Sequence, residues 1–361
     1  MTQPADTAMA RDRLTWLDYA KAIGIILVVF AHASRSIGRT SGLHWSDNLQ
    51  WLDGVIYAFH MPLFFLIAGY AAQIQRAQEP SSFLKSLLWG VAVPYAVWST
   101  IWIGLKILLP EAANVPLGIS ALGNILWQPV EHFWFLYHLF FIRLGWFGAK
   151  RLSGSGDVKL LVLLLFSAAA LTIVLTWRPE LDWVAGFLKN FAIYGIGLVW
   201  LPMLLRVWNQ GLSVRLAALG AALCMWGYAI GGAAGALWPA IGGAFIVVAL
   251  AKSLPQPTSW AFRIFAYLGE ASLAIYVMHL LVGAVVRAGL AKTGLISETV
   301  LLIGSTTAGL ILPAFAYWLV LSAAQRTTPA LPRVLGLGPA TRSAYLPLWL
   351  AAANTRPLSS S

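Results

Sequence analysis

The feature that most constrains this chain is a succession of apolar windows, each long enough to cross a bilayer and separated only by short breaks. A membrane-spanning helix needs about 20 predominantly apolar residues. Windows of that kind lie at 16–38, 49–74, 83–109, 132–149, 158–177, 184–205, 213–231, 233–251, 263–290 and 299–324. The expected fold class is therefore all-α, a polytopic integral membrane helix bundle of about ten transmembrane helices. Composition agrees. Only 10% of residues are charged and 59% are hydrophobic, against about 25% charged in soluble domains. A soluble fold of this length has too much surface to hide so much apolar material.

The charges orient the bundle. An even number of spans puts both termini on one side. With that side inside, the outer loops hold only Arg35, Arg39, Lys106, Arg178, Lys189, Arg287 and Lys292. The inner loops and tails hold the remaining basic residues, apart from Lys21 and Arg143 within spans. That is the positive-inside asymmetry, so both termini are expected to be cytoplasmic. It also accounts for the net charge of +11 without a nucleic-acid partner, for which the scattered cations form no patch. Residues 1–325 read as one transmembrane domain. Residues 326–361, with Pro329, Pro332, Pro339, Pro347 and Pro357 among Ser and Gly, read as a loose cytoplasmic tail.

Two features invite other readings. Arg11 and Arg13 precede an apolar run, and Ala31-His32-Ala33 resembles a signal-peptidase site, which would make the first span a cleaved signal peptide. The polar residues inside this span look functional, and its loss would leave an odd count. The single cysteine, Cys224, lies in an apolar run. It permits no internal disulfide and reads as a small buried hydrophobe rather than a catalytic thiol.

Ionisable side chains inside spans are costly and mark function by default. The first span carries Asp18, Lys21, His32 and Arg35. Asp18, Lys21 and His32 fall within about 60° of one another on a helix, and Lys21 and His32 are separated by roughly 16 Å along its axis. They form one stripe with members at two depths. The second span carries Asp53 and His60, followed by Pro62, which frees a backbone carbonyl and predicts a kink beside the histidine. The fourth begins Glu131-His132-Phe133-Trp134 and continues to His138; the ninth carries Ser272, Tyr276 and His279 on one side. Five of the six histidines thus lie in spans, in the middle or outer half, and only His44 lies in a loop. A lone intramembrane His is commonly a structural hydrogen-bonding group; five at one level weaken that reading. No His-Glu-x-x-His pair or acidic ligand set accompanies them, so no metal is expected. Hydrolase elbows and phosphate-binding Gly-rich loops are missing from the sequence. A His at this depth can act without metal or thiol, as a general base for a hydroxyl attacking a thioester or as acyl carrier. A Lys at the cytoplasmic mouth can hold a phosphate of coenzyme A.

Four blocks, in order, carry a family resemblance: Arg13-Leu14-Thr15-Trp16-Leu17-Asp18-Tyr19-Ala20-Lys21 running to His32; Phe59-His60-Met61-Pro62-Leu63-Phe64-Phe65-Leu66-Ile67-Ala68-Gly69-Tyr70 with Pro94-Tyr95-Ala96-Val97-Trp98; His132-Phe133-Trp134-Phe135-Leu136; and Leu268-Gly269-Glu270-Ala271-Ser272-Leu273-Ala274-Ile275-Tyr276-Val277-Met278-His279. On these the chain resembles the membrane acyltransferase-3 family, particularly its fucose 4-O-acetylase-like and nodulation-acetylase-like branch. Ala22 and Ala68 depart from the Gly and Ser often found there, and the extra C-terminal hydrolase-like domain of some members is missing from this sequence.

The resemblance implies an O-acyltransferase of the bacterial cytoplasmic (inner) membrane. The donor would be acyl-coenzyme A, usually acetyl-CoA, and the acceptor a hydroxyl of a surface polysaccharide or lipid-linked saccharide. It points to His32 as the leading catalytic residue and includes Lys21 in the motif, with Asp18 beside it. Arg35, His60, Glu131, His132, Trp134, Tyr276 and His279 are expected to line the binding sites. A polytopic transporter or flippase is the competing class, and a non-catalytic membrane scaffold a further one. Neither an inverted repeat nor paired broken helices support the transporter in the sequence.

Overall fold

The computed structural model describes residues 4–38, 44–74, 79–109, 117–153, 157–163, 165–166, 182–207, 211–231, 235–293, 297–328 and 330–338. The described residues are helical with no strand. The helices are α1 (Pro4–Ile37), α2 (Asp47–Ile74), α3 (Pro80–Leu87), α4 (Val93–Leu108), α5 (Ser120–Asn124), α6 (Trp134–Ser153), α7 (Asp182–Val207), α8 (Leu212–Ile230), α9 (Leu237–Ser253), α10 (Trp260–Glu270), α11 (Ser272–Lys292), α12 (Glu298–Arg326) and α13 (Leu331–Val334).

Seven stretches among the described residues are long and apolar enough to cross a membrane: Thr15–Ile37, Asp47–Gln73, Pro80–Leu108, Trp183–Arg206, Ser213–Ile230, Ser272–Leu290 and Glu298–Ala324. That is fewer than the about ten windows read from the sequence, and the difference falls at three places. The window at 132–149 lies on α6, which carries Arg143, Lys150 and Arg151. The window at 158–177 lies largely outside the described residues. The window at 233–251 is the shorter apolar helix Leu237–Ser253.

Contacts define two ends of the bundle. At one, the Tyr19 hydroxyl donates to the Pro255 carbonyl at 2.8 Å, the Lys252 ammonium stands 5.6 Å from the Trp16 ring and Trp16 meets Tyr70 edge-on at 5.0 Å. At the other, Trp45 Nε1–H donates to Ser34 Oγ at 2.9 Å and Ser46 donates to Glu298 at 2.9 Å. So α1 and α11 run one way, and α2, α9 and α12 return. Exposed Trp51, Trp183, Trp226 and Trp260 stand near helix ends, where amphipathic rings match the lipid headgroup level. On α12, Ile303, Ile311, Leu312, Phe315 and Leu319 are exposed while Ala314, Tyr317 and Leu321 are buried, as expected of a helix with one lipid-facing side.

Proline shapes the helices without ending them. α2 runs as one helix through Pro62, α7 through Pro202 and α12 through Pro313. Ahead of Pro94 the chain forms a π-helical turn over Leu88–Ala92. The widened turn gives the pyrrolidine ring room against the preceding carbonyl, which an α-helical turn would not.

The window at 263–290, read as one helix, is two: α10 and α11 meet at Ala271, whose N–H is taken by Tyr267 and Gly269 carbonyls. Gly269 is packed against the Asp18 backbone carbonyl, so the turn seats on α1. Of the tail read as loose over 326–361, residues 331–338 lie against the bundle, and those beyond 338 lie outside the described residues. Trp98 Nε1–H donates to the Leu335 carbonyl at 3.2 Å, Leu337 is buried, and Gly336 and Gly338 hold positive φ of 65° and 90° that admit the tight approach to Pro94, Trp98 and Leu273.

α2 and α7 approach so closely that a Cβ at Gly69 would strike the Tyr194 carbonyl and one at Gly197 the Leu66 carbonyl. Small residues at such crossings let membrane helices gain packing that the lipid itself does not drive. Backbone cannot yield there as a side-chain tip can. Gly197→Val should therefore lower the melting temperature in detergent, by an overpacking cost of about 1–3 kcal/mol. Gly54→Ala, where nothing lies within 4 Å, should leave it unchanged or slightly raised.

Candidate functional site

Three histidines from distant parts of the sequence meet in the bundle. His32 comes from α1, one turn before it ends. His132 comes from a 3-10 turn, Glu131–Phe133, that precedes α6. His279 comes from the first half of α11. Ring centroids are 5.2 Å apart for His32 and His279, 5.6 Å for His132 and His279 and 6.4 Å for His32 and His132. His132 and His279 are 6% and 2% exposed, and His32 is half-buried. Neither ring nitrogen of His132, nor Nε2 of His279, has a hydrogen-bond partner among the described residues. Buried polar atoms are nearly always paired, so orphans concentrated at one spot mark a place built for something else.

Tyr276, one turn before His279, fixes the turn that carries His132. Its ring lies 5.9 Å from the His132 ring and its hydroxyl donates to the His132 carbonyl. Glu131, at the head of that turn, takes the left-handed φ of 41°, an uncommon choice for a residue with a Cβ. The Glu131 carboxylate pairs with Lys106 of α4. The Lys106 ammonium lies 5.7 Å from the Trp102 ring, and that ring is 5.3 Å from His132.

A second layer lies beside His32. Arg35 Nε–H donates to Asp53 Oδ2 at 2.8 Å, and its guanidinium sits 3.0 Å over the Tyr57 ring centroid, a cation–π contact. Tyr57 is 6.2 Å from His32 and 4.6 Å from His60. Asp53 is 3% exposed and has Arg35 as its ion-pair partner. Removing one member of a buried pair strands the other at a cost of about 3–5 kcal/mol, less here because the Arg35 side chain is 36% exposed. Arg35→Met should lower the melting temperature more than the double variant Arg35→Met/Asp53→Asn, which strands no charge.

Other residues singled out from the sequence lie apart from the three rings. Asp18 and Lys21 pair with each other at 3.0 Å, at the end of the bundle marked by Tyr19 and Pro255. His60 is buried and meets the His32 layer at Tyr57. Trp134 turns to Phe65 at 6.3 Å and His138 at 5.3 Å, and His138 stands 3.5 Å from the Asn190 amide. His44 is exposed. No group of three His, Cys, Asp or Glu side chains among the described residues is arranged to hold a metal ion.

Sequence reasoning missed Tyr57, Trp102 and Lys106 as members of this site. A signal existed for each. Tyr57 lies between Asp53 and His60 at helical spacing, and Trp102 and Lys106 are four apart on one helix face with Lys106 ionisable near a span end. The profile of a family described as an acyltransferase domain matches residues 14–320, which takes in every residue of this site. No curated protein and no solved structure matches the chain.

Proposed function

The chain belongs to the acyltransferase-3 family, whose profile covers most of it, and from that premise we propose that it is a membrane O-acyltransferase moving an acyl group, acetyl in the first instance, from acyl-coenzyme A to a hydroxyl of a surface or lipid-linked glycan. It is a multi-pass membrane protein with an acyltransferase domain. The single observation that carries the finer reading is the meeting of His32, His132 and His279 within 5.2–6.4 Å, at one end of the membrane span Thr15–Ile37, whose other end holds the Lys21–Asp18 pair.

The separation suits a reaction with its donor and acceptor on opposite sides. The positive-inside asymmetry supports a cytoplasmic Lys21 end, in a bacterial cytoplasmic membrane. Lys21 there meets a phosphate of coenzyme A by a charge-assisted contact, while the pantetheine arm carries the thioester toward His32. The acceptor hydroxyl enters from the other end, past Arg35, Tyr57 and the Lys106–Glu131 pair. Its oxygen attacks the thioester carbonyl, the C–S bond breaks, and the hydroxyl proton leaves by a histidine for the departing sulfur. His32 serves as base in that sequence, or as acyl carrier by attacking the thioester first, so that the C–S bond breaks as the acyl–imidazole bond forms and the acceptor oxygen then displaces the imidazole. Burial of the ring cluster excludes water, which would otherwise hydrolyse the thioester.

The test is thiol release. The purified protein in lipid nanodiscs, given acetyl-CoA and a lipid-linked saccharide extract, should release free coenzyme A and label the saccharide. Failure to consume the donor, together with protein-dependent movement of a solute across a vesicle, would contradict the reading.

A further inference from the structure

We propose that His279 is the proton acceptor of this site, with its Nε2 lone pair fixed in place by its own helix. The inference rests on the acyl-transfer reading and assigns a role within it. His279 Nδ1 lies 2.7 Å from the Tyr276 carbonyl and 3.1 Å from the Ile275 carbonyl. Carbonyl oxygens only accept, so Nδ1 carries the hydrogen, and the neutral ring holds its lone pair on Nε2. Nε2 is buried and has no partner among the described residues. With Nδ1 turned to the α11 backbone, Nε2 lies on the ring edge away from it, and the rings of His32 and His132 stand 5.2 and 5.6 Å off.

His132 and His60 do not share this combination. His132 has no hydrogen bond at either nitrogen among the described residues, and none of those residues selects its tautomer. His60 is locked in the same way, by the Ile56 carbonyl at 2.8 Å, but its ring neighbour is Tyr57 and not the histidine cluster. The seat of His279 is also confined. At Gly309 of α12 an added Cβ would lie 2.9 Å from Val29 Cγ1 and 3.7 Å from His279 Cβ. The bare backbone there lets α12 hold His279 against α1, one turn from His32.

In the step this implies, the acceptor O–H bond breaks as its proton passes to Nε2, and the oxygen forms the new ester bond to the acyl carbon. The C–S bond breaks, and the imidazolium returns the proton to the thiolate, so His279 ends neutral. His32 is then left to engage the acyl group itself.

Three variants of the full-length protein in nanodiscs test this, with radiolabelled acetyl-CoA as donor and a lipid-linked saccharide extract as acceptor. His279→Asn keeps a side-chain N–H that can donate to the Tyr276 carbonyl but has no basic lone pair. It should bind acetyl-CoA as the wild type does and lose transfer by about 10²-fold or more. His279→Ala and His279→Gly should lose as much, and added imidazole should restore part of it in proportion to its concentration, whereas His279→Asn should not respond. A purely structural histidine predicts the reverse. An Asn variant with wild-type transfer would overturn the assignment, as would folded Ala and Gly variants that imidazole leaves inactive. A wild type with no transfer would instead overturn the acyl-transfer reading.

Discussion

His32→Ala should abolish acyl transfer while leaving the protein inserted and folded. A positioned base or nucleophile contributes about 10²–10⁴-fold, so residual activity should fall to the background of the deletion strain. The side chain is half-buried at the end of a helix that is otherwise closely packed. Its neighbours Ala31, Ala33 and Ser34 are buried, and the helix end is held independently by the Trp45–Ser34 and Arg35–Asp53 contacts. The truncation removes an imidazole from a cluster of rings. Unchanged melting behaviour together with lost transfer separates a chemical role from a structural one. Comparable loss of both would make His32 a packing residue.

Lys21→Gln should act on the donor and not on the chemistry. Lys21 is eleven residues from His32 on the same helix, roughly 16 Å along it, and its ammonium already pairs with Asp18 at the bundle end. A charge-assisted hydrogen bond to a phosphate is worth about 1.5–3 kcal/mol, so its loss should raise KM for acyl-CoA about ten- to hundredfold. The kcat at saturating donor should hold. The same variant tested with a short acyl-pantetheine donor, which lacks the nucleotide phosphates, should show no KM penalty. A fall in kcat with KM unchanged would instead move Lys21 into the reacting centre.

The polar stripe on α1 was legible because helical spacing alone relates its members. Lys21 and Asp18 are three apart and do pair, and His32 sits too far along the axis to join them. The meeting of His32, His132 and His279 was legible only as a shared depth. Which rings face one another depends on how α1, α6 and α11 rotate, and no local spacing encodes that. The clearest misreading is at Glu131–Trp134. Both His132 and Trp134 are expected in one lining, yet residues two apart on an α-helix already point about 160° apart. The backbone there is a 3-10 turn entered through a left-handed Glu131. His132 faces the cluster and Trp134 faces Phe65.

The break at Ala271 was hidden for a related reason. Leu268-Gly269-Glu270-Ala271-Ser272 sits within an apolar run, and the hinge depends on Gly269 touching Asp18 of a helix some 250 residues earlier. The packing of residues 331–338 was likewise masked by composition. Pro and Gly there look like a flexible tail, yet the positive φ of Gly336 and Gly338 lets them lie against α4 and α11.

The measurement that tests acyl transfer most directly is mass spectrometry of surface and lipid-linked glycans from cells carrying the wild type, a deletion, or His32→Ala. The mass of one acyl group, that of acetyl in the first instance, should be present on the wild-type glycan and missing from both of the others. Identical glycans in all three strains would contradict it.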